Sequence, residues 1–321
     1  MKFITYADDT TLLSTINPTT QNTALINNEL NQVFTWLNAN KLSLNIGKTK
    51  TMTFHTPRRQ LTPAALNING IPIEHTTQFN FLGIILDTHM NWRPHISKIA
   101  TKISQTCGAL NKLKYIIPQQ AKIHIYTALI QPHLTYGILS WGSSPHTKTI
   151  IQIQKRALRT IPYNFKYNAH TEPILKKLNF LNLKDLHKYF MFKFYYKYCN
   201  NMLPEYFSNF IVRGHQGLGG RAGHRLVLPM HRCHFFKSGL RYSISLAINS
   251  IPENILDRCL THSIKIASLH FKRNLSSFYS EHCSIANCYI CSTWIWCHFT
   301  FCSFFLLSYV FFRVSFFFYF L

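Results

Sequence analysis

The chain opens with apolar and polar residues in short alternation: Phe3, Ile4 and Tyr6, then the polar step "ADD", then Leu12 and Leu13 with threonines around them. That pattern predicts strand, turn and strand over residues 1–15, with the acidic pair Asp8 and Asp9 on the turn. From Thr23 to Asn38 the period lengthens: Leu25, Ile26, Leu30, Val33, Phe34 and Leu37 recur three or four apart, which predicts an amphipathic helix. "KTMTFH" at 50–55 follows a glycine-containing loop and reads as a strand. Asn69-Gly70 is a hairpin signal, and "FNFLGIIL" is a β-rich run with Gly83 inside it.

After Trp92 the pattern becomes helical. Ile96, Ile99, Ile103, Leu110 and Leu113 keep one face, while Lys98, Lys102, Lys112 and Lys114 lie on others. Helical spacing continues through "QQAKIHIYTALIQ" between Pro118 and Pro132, then "KTIIQIQKRALRTI" and "NLKDLHKYFMFKFYYKYCN". The expected fold class is α+β, with strands and a helix in residues 1–90 and a mostly helical part in 91–212. Residues 213–282 are basic and loop-rich, opening with "RGHQGLGGRAGHR", whose glycines do not support regular structure. Residues 283–321 form a Phe-, Cys- and Ser-rich tail in which Arg313 is the only formal charge.

Charge narrows the partner. The chain carries 34 Lys plus Arg against 11 Asp plus Glu, a net charge of +23, and 17 His besides. Such an excess goes far beyond what solubility needs and points to a polyanion, with nucleic acid ahead of an anionic membrane face. Acidic residues are so scarce that Asp8 and Asp9 form the only adjacent pair. The nine cysteines are odd in number and scattered, which argues against a secreted disulfide framework. Met1 leads into a strand-like run instead of a basic segment and an apolar one, so no secretory signal is expected. An intracellular location, cytoplasm or nucleus, is the expectation.

Two carboxylates on a turn suit Mg²⁺, which takes hard oxygen ligands and keeps waters and phosphate oxygens. An acidic surface turn is the commoner meaning of an isolated "DD". The order of the downstream segments changes that balance. "YADD" between two short β-runs resembles the Y/F-x-D-D motif of reverse transcriptases. The helix after it, and "KLSLNIGKTKTMTF", resemble the next palm motif of the non-LTR retrotransposon branch, the jockey- or CR1-like elements. "FNFLGIILD" resembles that branch's primer-grip hairpin, and "NWRPHISKIATKISQTCGALNKLK" through "LIQPHLTYGILSWGSS" its thumb and connection. "RYSISLAINSIPENI" is similar to a later Arg-Tyr…Trp-Asn-Ser-Leu-Pro segment, with Ile248 and Ile251 where Trp and Leu are usual. The likeness covers about residues 2–282.

The resemblance implies an RNA-directed DNA polymerase, with part of a palm over 1–90 and a thumb over 91–212. It implies Asp8 and Asp9 as metal ligands for Mg²⁺ and as catalytic groups. Lys48 would be a general acid toward pyrophosphate or a neutralising charge, although a solvated surface lysine fits the bare sequence as well. "GKT" is not a phosphate-cradling loop, because Leu42 stands where the first glycine belongs. Tyr6 would lie beside the primer terminus or template. Phe81, Leu82 and Gly83 would form the primer grip, for which an ordinary edge hairpin is an equal reading. Lys98, Lys102, Lys112, Lys114, Lys155, Arg156 and Arg159 would track phosphates of an RNA template, an RNA–DNA hybrid or a DNA primer. The family's third carboxylate comes from an earlier palm strand. None of the five residues before Tyr6 is acidic, and Glu29, Glu74 and Asp87 sit elsewhere in the pattern. This polypeptide is therefore expected to be inactive by itself.

The tail admits other readings. "FTFCSFFLLSYVFF" is apolar enough to form part of a membrane span, but it is punctuated by Cys, Ser, Thr and His and cut by Arg313. A translated non-coding or frameshifted end is the favoured reading, and membrane association through 283–321 the lesser one. Cys288, Cys291, His298 and Cys302 come close to a zinc knuckle without matching its spacing, so zinc is not expected.

Overall fold

The computed structural model describes residues 2–7, 9–15, 23–58, 65–163, 168–212, 226–229, 239–251 and, as a backbone strand, 313–320. Asp8, most of the basic region 213–282 and the knuckle-like cysteines lie outside the described residues. Two compact units divide the chain, Met1–Asn91 with His282–Leu321, and Trp92–Glu281.

In the first unit β1 (Lys2–Tyr6) and β2 (Asp9–Thr15) form an antiparallel hairpin closed by the pair Tyr6 and Asp9. Ala7 takes the turn with a left-handed φ of 51°. Asp9 therefore opens a strand instead of standing on the turn. Helix α1 (Thr23–Ala39) matches the predicted span and buries Ile26, Leu30 and Leu37. Ile26 and Leu30 pack with Leu12 of β2 and with Leu66, Ile68 and Ile73. Two asparagines on α1 extend the contact: Asn27 Oδ1 accepts the Asn67 N–H and Asn31 Oδ1 the Asn69 N–H, at 3.1 and 2.8 Å. Both belong to the hairpin of β4 (Asn67–Ile68) and β5 (Ile71–Pro72), which turns at Asn69-Gly70 with both φ positive.

Strand β3 (Lys50–Phe54) alternates its faces, so Met52 and Phe54 point together into a second small core. Phe79, Phe81 and Leu86 pack against that core from the hairpin of β7 (Gln78–Phe81) and β8 (Ile84–Asp87). Leu82 and Gly83 link these strands with φ of 47° and 82°, a two-residue turn of the twist that hairpins favour. Gly83 is thus in a turn and not within a strand, which corrects the reading of "FNFLGIIL" as one run. Leucine in that conformation costs roughly 1 kcal/mol, which packing must offset. With β6 (Glu74–His75) and β9 (Arg313–Phe320) the main sheet has the order β1-β2-β9-β3-β6, and β9 lies parallel between β2 and β3.

The second unit is helical. α2 (Arg93–Leu113) packs on α6 (Thr147–Arg159), with Ile96, Ile99, Ile103 and Leu110 buried on one and Ile150, Ile153, Ala157 and Leu158 on the other. Between them run α3 (Gln119–Ile125), a π-helical turn Tyr126–Ile130, α4 (Gln131–Thr135) and α5 (Ile138–Trp141). The π turn has a local cause. Pro132 cannot donate to the ladder and its ring crowds the preceding turn, so the Gln131 N–H bonds back to Tyr126 O, five residues away. α7 (Glu172–Leu178) and α8 (Leu183–Cys199) come next. Asn182 caps α8 by accepting the Asp185 N–H at 2.9 Å while its own amide donates to the Asp185 carboxylate. α9 (Leu240–Asn249) packs Ile244 and Ile248 against Met191, Phe192, Tyr195 and Tyr196 of α8. Its last residue, Asn249, exchanges two hydrogen bonds with the backbone of Leu226. Among the described residues no helix is long and apolar enough to cross a membrane.

Two buried histidines are expected to make this unit sensitive to acid. His95 at the start of α2 stands edge-on to Trp141, and the His187 ring lies against Gly142, where an added Cβ would meet it at 2.6 Å. Burial holds both imidazoles down to about 4, with the Lys98 charge adding to the effect at His95. The folded state keeps them neutral. Between pH 6.5 and 4 the unfolded chain takes up protons that the folded chain refuses, so stability falls with pH across that window. At pH 5 each histidine costs roughly 2 kcal/mol. Urea unfolding followed by far-ultraviolet circular dichroism should show the midpoint dropping between pH 7 and pH 5, and His187→Phe should flatten the drop.

Candidate nucleic-acid interface

The hairpin end of the first unit holds Asp9, the described member of the acidic pair. Asp9 is half-buried at the first position of β2, opposite the half-buried Tyr6. Lys48 is exposed and ends the 3-10 turn Ile46–Lys48, where its N–H donates to the Asn45 side chain at 3.2 Å. Sheet register relates the two. Thr11 of β2 and Lys50 of β3 both align with Phe316 of β9. Asp9 pairs with Arg313 at the start of β9, across a register shift at Thr10/Thr11, and Lys48 ends the 3-10 turn just before β3, so both lie at the end of the sheet where these parallel strands begin.

The other acidic groups of this unit are engaged elsewhere. The Glu74 carboxylate is paired with the Lys50 ammonium on the neighbouring strand. Asp87 is buried and accepts the Asn91 N–H at 3.2 Å. Glu29 lies on α1. In the grip-like hairpin the structure turns Phe81 into the Met52–Phe54 core, half-buries Leu82 and leaves Gly83 exposed at the tip.

The basic residues of the second unit sort cleanly by face. At about 100° per residue, Lys98, Lys102 and Lys112 fall within roughly an 80° sector of α2, away from its buried isoleucines. On α6 the residues Lys155 and Arg159 share a sector with Lys148, and Arg156 borders it. Ile150, Ile153, Gln154 and Ala157 occupy the opposite side. Lys102, Lys112, Lys155 and Arg156 are exposed, whereas Lys98, Lys114 and Arg159 are half-buried. Arg159 Nε donates to Ala169 O at 2.9 Å, so one edge of its guanidinium is already committed. Lys148 joins the residues expected from sequence, and its spacing of seven and eleven from Lys155 and Arg159 is the signal that marks it for the same face.

Lys122 carries no such signal, and it organises the rest. Its relative exposure is 0%, and its Nζ donates to Lys114 O at 2.7 Å and Thr160 O at 3.4 Å. These carbonyls belong to the C-caps of α2 and α6. Both helix ends leave carbonyls without intrahelical donors and carry partial negative charge, which a cation offsets. Burial pushes the Lys122 ammonium below the ordinary lysine value. The ring of Tyr163 lies 5.0 Å from the same Nζ.

Comparison with known proteins supplies the lineage. About half of this chain is homologous to the RNA-directed DNA polymerases of jockey and other non-LTR mobile elements. The polymerase from mobile element jockey of Drosophila funebris is 30% identical over 166 residues, covering 49% of this chain and 18% of its own length. The probable polymerase from transposon BS of Drosophila melanogaster is 27% identical over 162 residues, with the same shares. That from transposon X-element is 25% identical over 134 residues, covering 39% of this chain and 14% of its own. The chain thus spans less than a fifth of the length of the curated relatives it matches. No family model matches the chain, and no solved structure matches it.

Replacing Lys122 tests whether it sets the two basic helices. Lys122→Met fills the same space but leaves two helix-end carbonyls without their donor, an expected loss of about 2 kcal/mol. A urea midpoint equal to that of the unchanged protein would show that the ammonium contributes nothing there.

Proposed function

We propose that this chain forms a nucleic-acid-holding part of a non-LTR retrotransposon RNA-directed DNA polymerase, with palm-like elements in the first unit and thumb-like helices in the second. The observation that carries the reading is the segregation of charge on α2 and α6. Each buries an apolar face against the other and turns Lys98, Lys102 and Lys112, or Lys148, Lys155, Arg156 and Arg159, away from it. A polyanion satisfies such faces without base-specific contacts, as suits a surface that must hold template and primer of any sequence. The names of the homologous polymerases supply the choice of RNA template and RNA–DNA hybrid over other polyanions.

At the hairpin, Asp8 and Asp9 offer the hard carboxylate oxygens that Mg²⁺ takes, and these two residues would hold it. When bound, the ion would neutralise phosphate charge at the primer end. Tyr6 beside Asp9 offers an aromatic edge to the primer or template, and Lys48 at the same end of the sheet offers a cation to a leaving phosphate. Glu74 and Asp87 are occupied by Lys50 and Asn91, so neither is at hand to complete the carboxylate set. With neither of them at hand, our reading is that these 321 residues hold nucleic acid without extending it.

Binding and extension are tested separately. Fluorescence anisotropy with a labelled RNA–DNA hybrid should give affinity that falls steeply with salt. Changing Lys98, Lys102, Lys155 and Arg156 to Gln should lower the log–log slope by about one for each phosphate no longer neutralised, equally for unrelated sequences. An unchanged slope would reject these faces as the phosphate-binding surface. In a primer-extension assay on an RNA template with Mg²⁺, the purified chain should give no product. Extension that disappears in Asp8→Ala would overturn the second part of the reading.

A further inference from the structure

Immediately beyond the ends of α2 and α6 stand three large side chains that the fold does not bury. Tyr115 is 77% exposed, Ile116 76% and Tyr163 62%. Lys122 draws their backbones together by bonding Lys114 O and Thr160 O. Each ring has an ammonium over it: Lys114 Nζ is 4.8 Å from the Tyr115 centroid, and Lys122 Nζ 5.0 Å from that of Tyr163. The Tyr163 hydroxyl also accepts the Gln119 N–H at 3.3 Å, which fixes the ring against α3. The Lys122 ammonium thus ties the Tyr163 ring to Lys114, the residue before Tyr115, so both tyrosines follow helix ends that one cation joins.

Phosphate attraction makes no use of exposed rings. Isolated surface aromatics are common, but two exposed rings, each with an adjoining cation, beyond one joined pair of helix ends have the composition of a stacking platform. We propose that Tyr115 and Tyr163 stack on unpaired nucleotides of single-stranded RNA or DNA, whose phosphates lie along the basic faces of α2 and α6. The inference rests on the polyanion-holding role proposed above and adds the form of nucleic acid held. A base in a duplex has both faces covered by its neighbours, whereas an unpaired base has a face to give. Positive charge around the rings also disfavours an uncharged protein as their partner: Lys112 and Lys114 precede Tyr115, and Lys122 offsets the negative ends of both helices.

The test uses the full chain, a labelled 20-nucleotide single strand of mixed sequence in RNA and DNA forms, and a blunt duplex of the same sequence. Tyr115→Ala should weaken single-strand binding about fivefold or more, and Tyr115→Ala with Tyr163→Ala at least tenfold, with the salt slope unchanged because no ion pair is removed. Duplex affinity should stay within about twofold of the unchanged chain, and Tyr115→Phe should bind as the unchanged chain does. Quenching of 2-aminopurine placed in the single strand should be lost in the double variant. Tyr115 is exposed enough that its removal leaves no cavity, and circular dichroism checks both folds. If the double variant binds the single strand normally, or loses single-strand and duplex binding equally, the platform is wrong and the phosphate-holding faces still stand. If the unchanged chain shows no salt-dependent binding to any of the three probes, both readings fall.

Discussion

The helical unit turns on the side-chain amide of Gln154. It is 1% exposed, and every group of the amide is used: Nε2 donates to Tyr126 Oη and to Leu181 O, and Oε1 accepts the Leu183 N–H, all at 3.0 Å. Three segments meet there: the π turn before Pro132, helix α6, and the entry to α8. A buried amide with any of these bonds missing costs on the order of 1–3 kcal/mol, so the arrangement tolerates little rotation of α6 about its axis. Burial pushes the Tyr126 phenol far above its ordinary value and keeps it protonated, leaving its oxygen as the acceptor. Fixing the rotation of α6 fixes what it shows on the other side. Lys148, Lys155 and Arg159 face outward because Gln154 cannot.

Charge works in two opposite ways in this chain. An excess of 23 positive charges repels itself and works against compactness wherever the cations crowd. The exposed lysines and arginines of α2 and α6 keep that repulsion small by staying in solvent, where a Debye length of about 8 Å limits its reach at physiological salt. Lys122 takes the other course. Its ammonium is withdrawn from water, and the desolvation it suffers is offset by two helix-end carbonyls and the face of Tyr163. One buried cation thereby holds together the two helices that carry the exposed ones. It also offsets the negative potential at the end of the pair.

Where one physical signal dominates, the sequence is legible. Apolar spacing places α1, α2, α6 and α8 within a residue or two, because each buries a continuous stripe. Asn69-Gly70 marks its hairpin because both residues adopt positive φ at little cost. Leu82-Gly83 forms the same turn without the favoured first residue. Packing of Phe79, Phe81 and Leu86 on β3 overrides the local preference, and no local signal carries that information. The π turn is hidden for a similar reason, since Pro132 marks a perturbed helix without saying whether the ladder will break or widen. Gln154 and Lys122 escape a reading by pattern because a polar residue in a helical stretch ordinarily counts toward the solvent face. Only the positions of distant carbonyls explain why these two point inward. At the hairpin, the motif identifies Asp9 and Lys48 separately, and sheet register is needed to bring them to one end.

The two forms of contact proposed for the helical unit respond differently to conditions, which gives their combination a physical rationale. Phosphate contacts draw their free energy largely from released counterions, so they weaken steeply as salt rises. Ring stacking is short-ranged and nearly indifferent to ions. Basic faces alone would draw in any polyanion and hold it loosely at physiological ionic strength, while rings alone would give little attraction at a distance. On α2 and α6 the cations lead along each helix to its end, and Tyr115 and Tyr163 lie where the two ends are joined by Lys122. In the proposed arrangement, a strand gathered by long-range attraction would reach these two rings, where its bases rather than its charge would decide whether it stays.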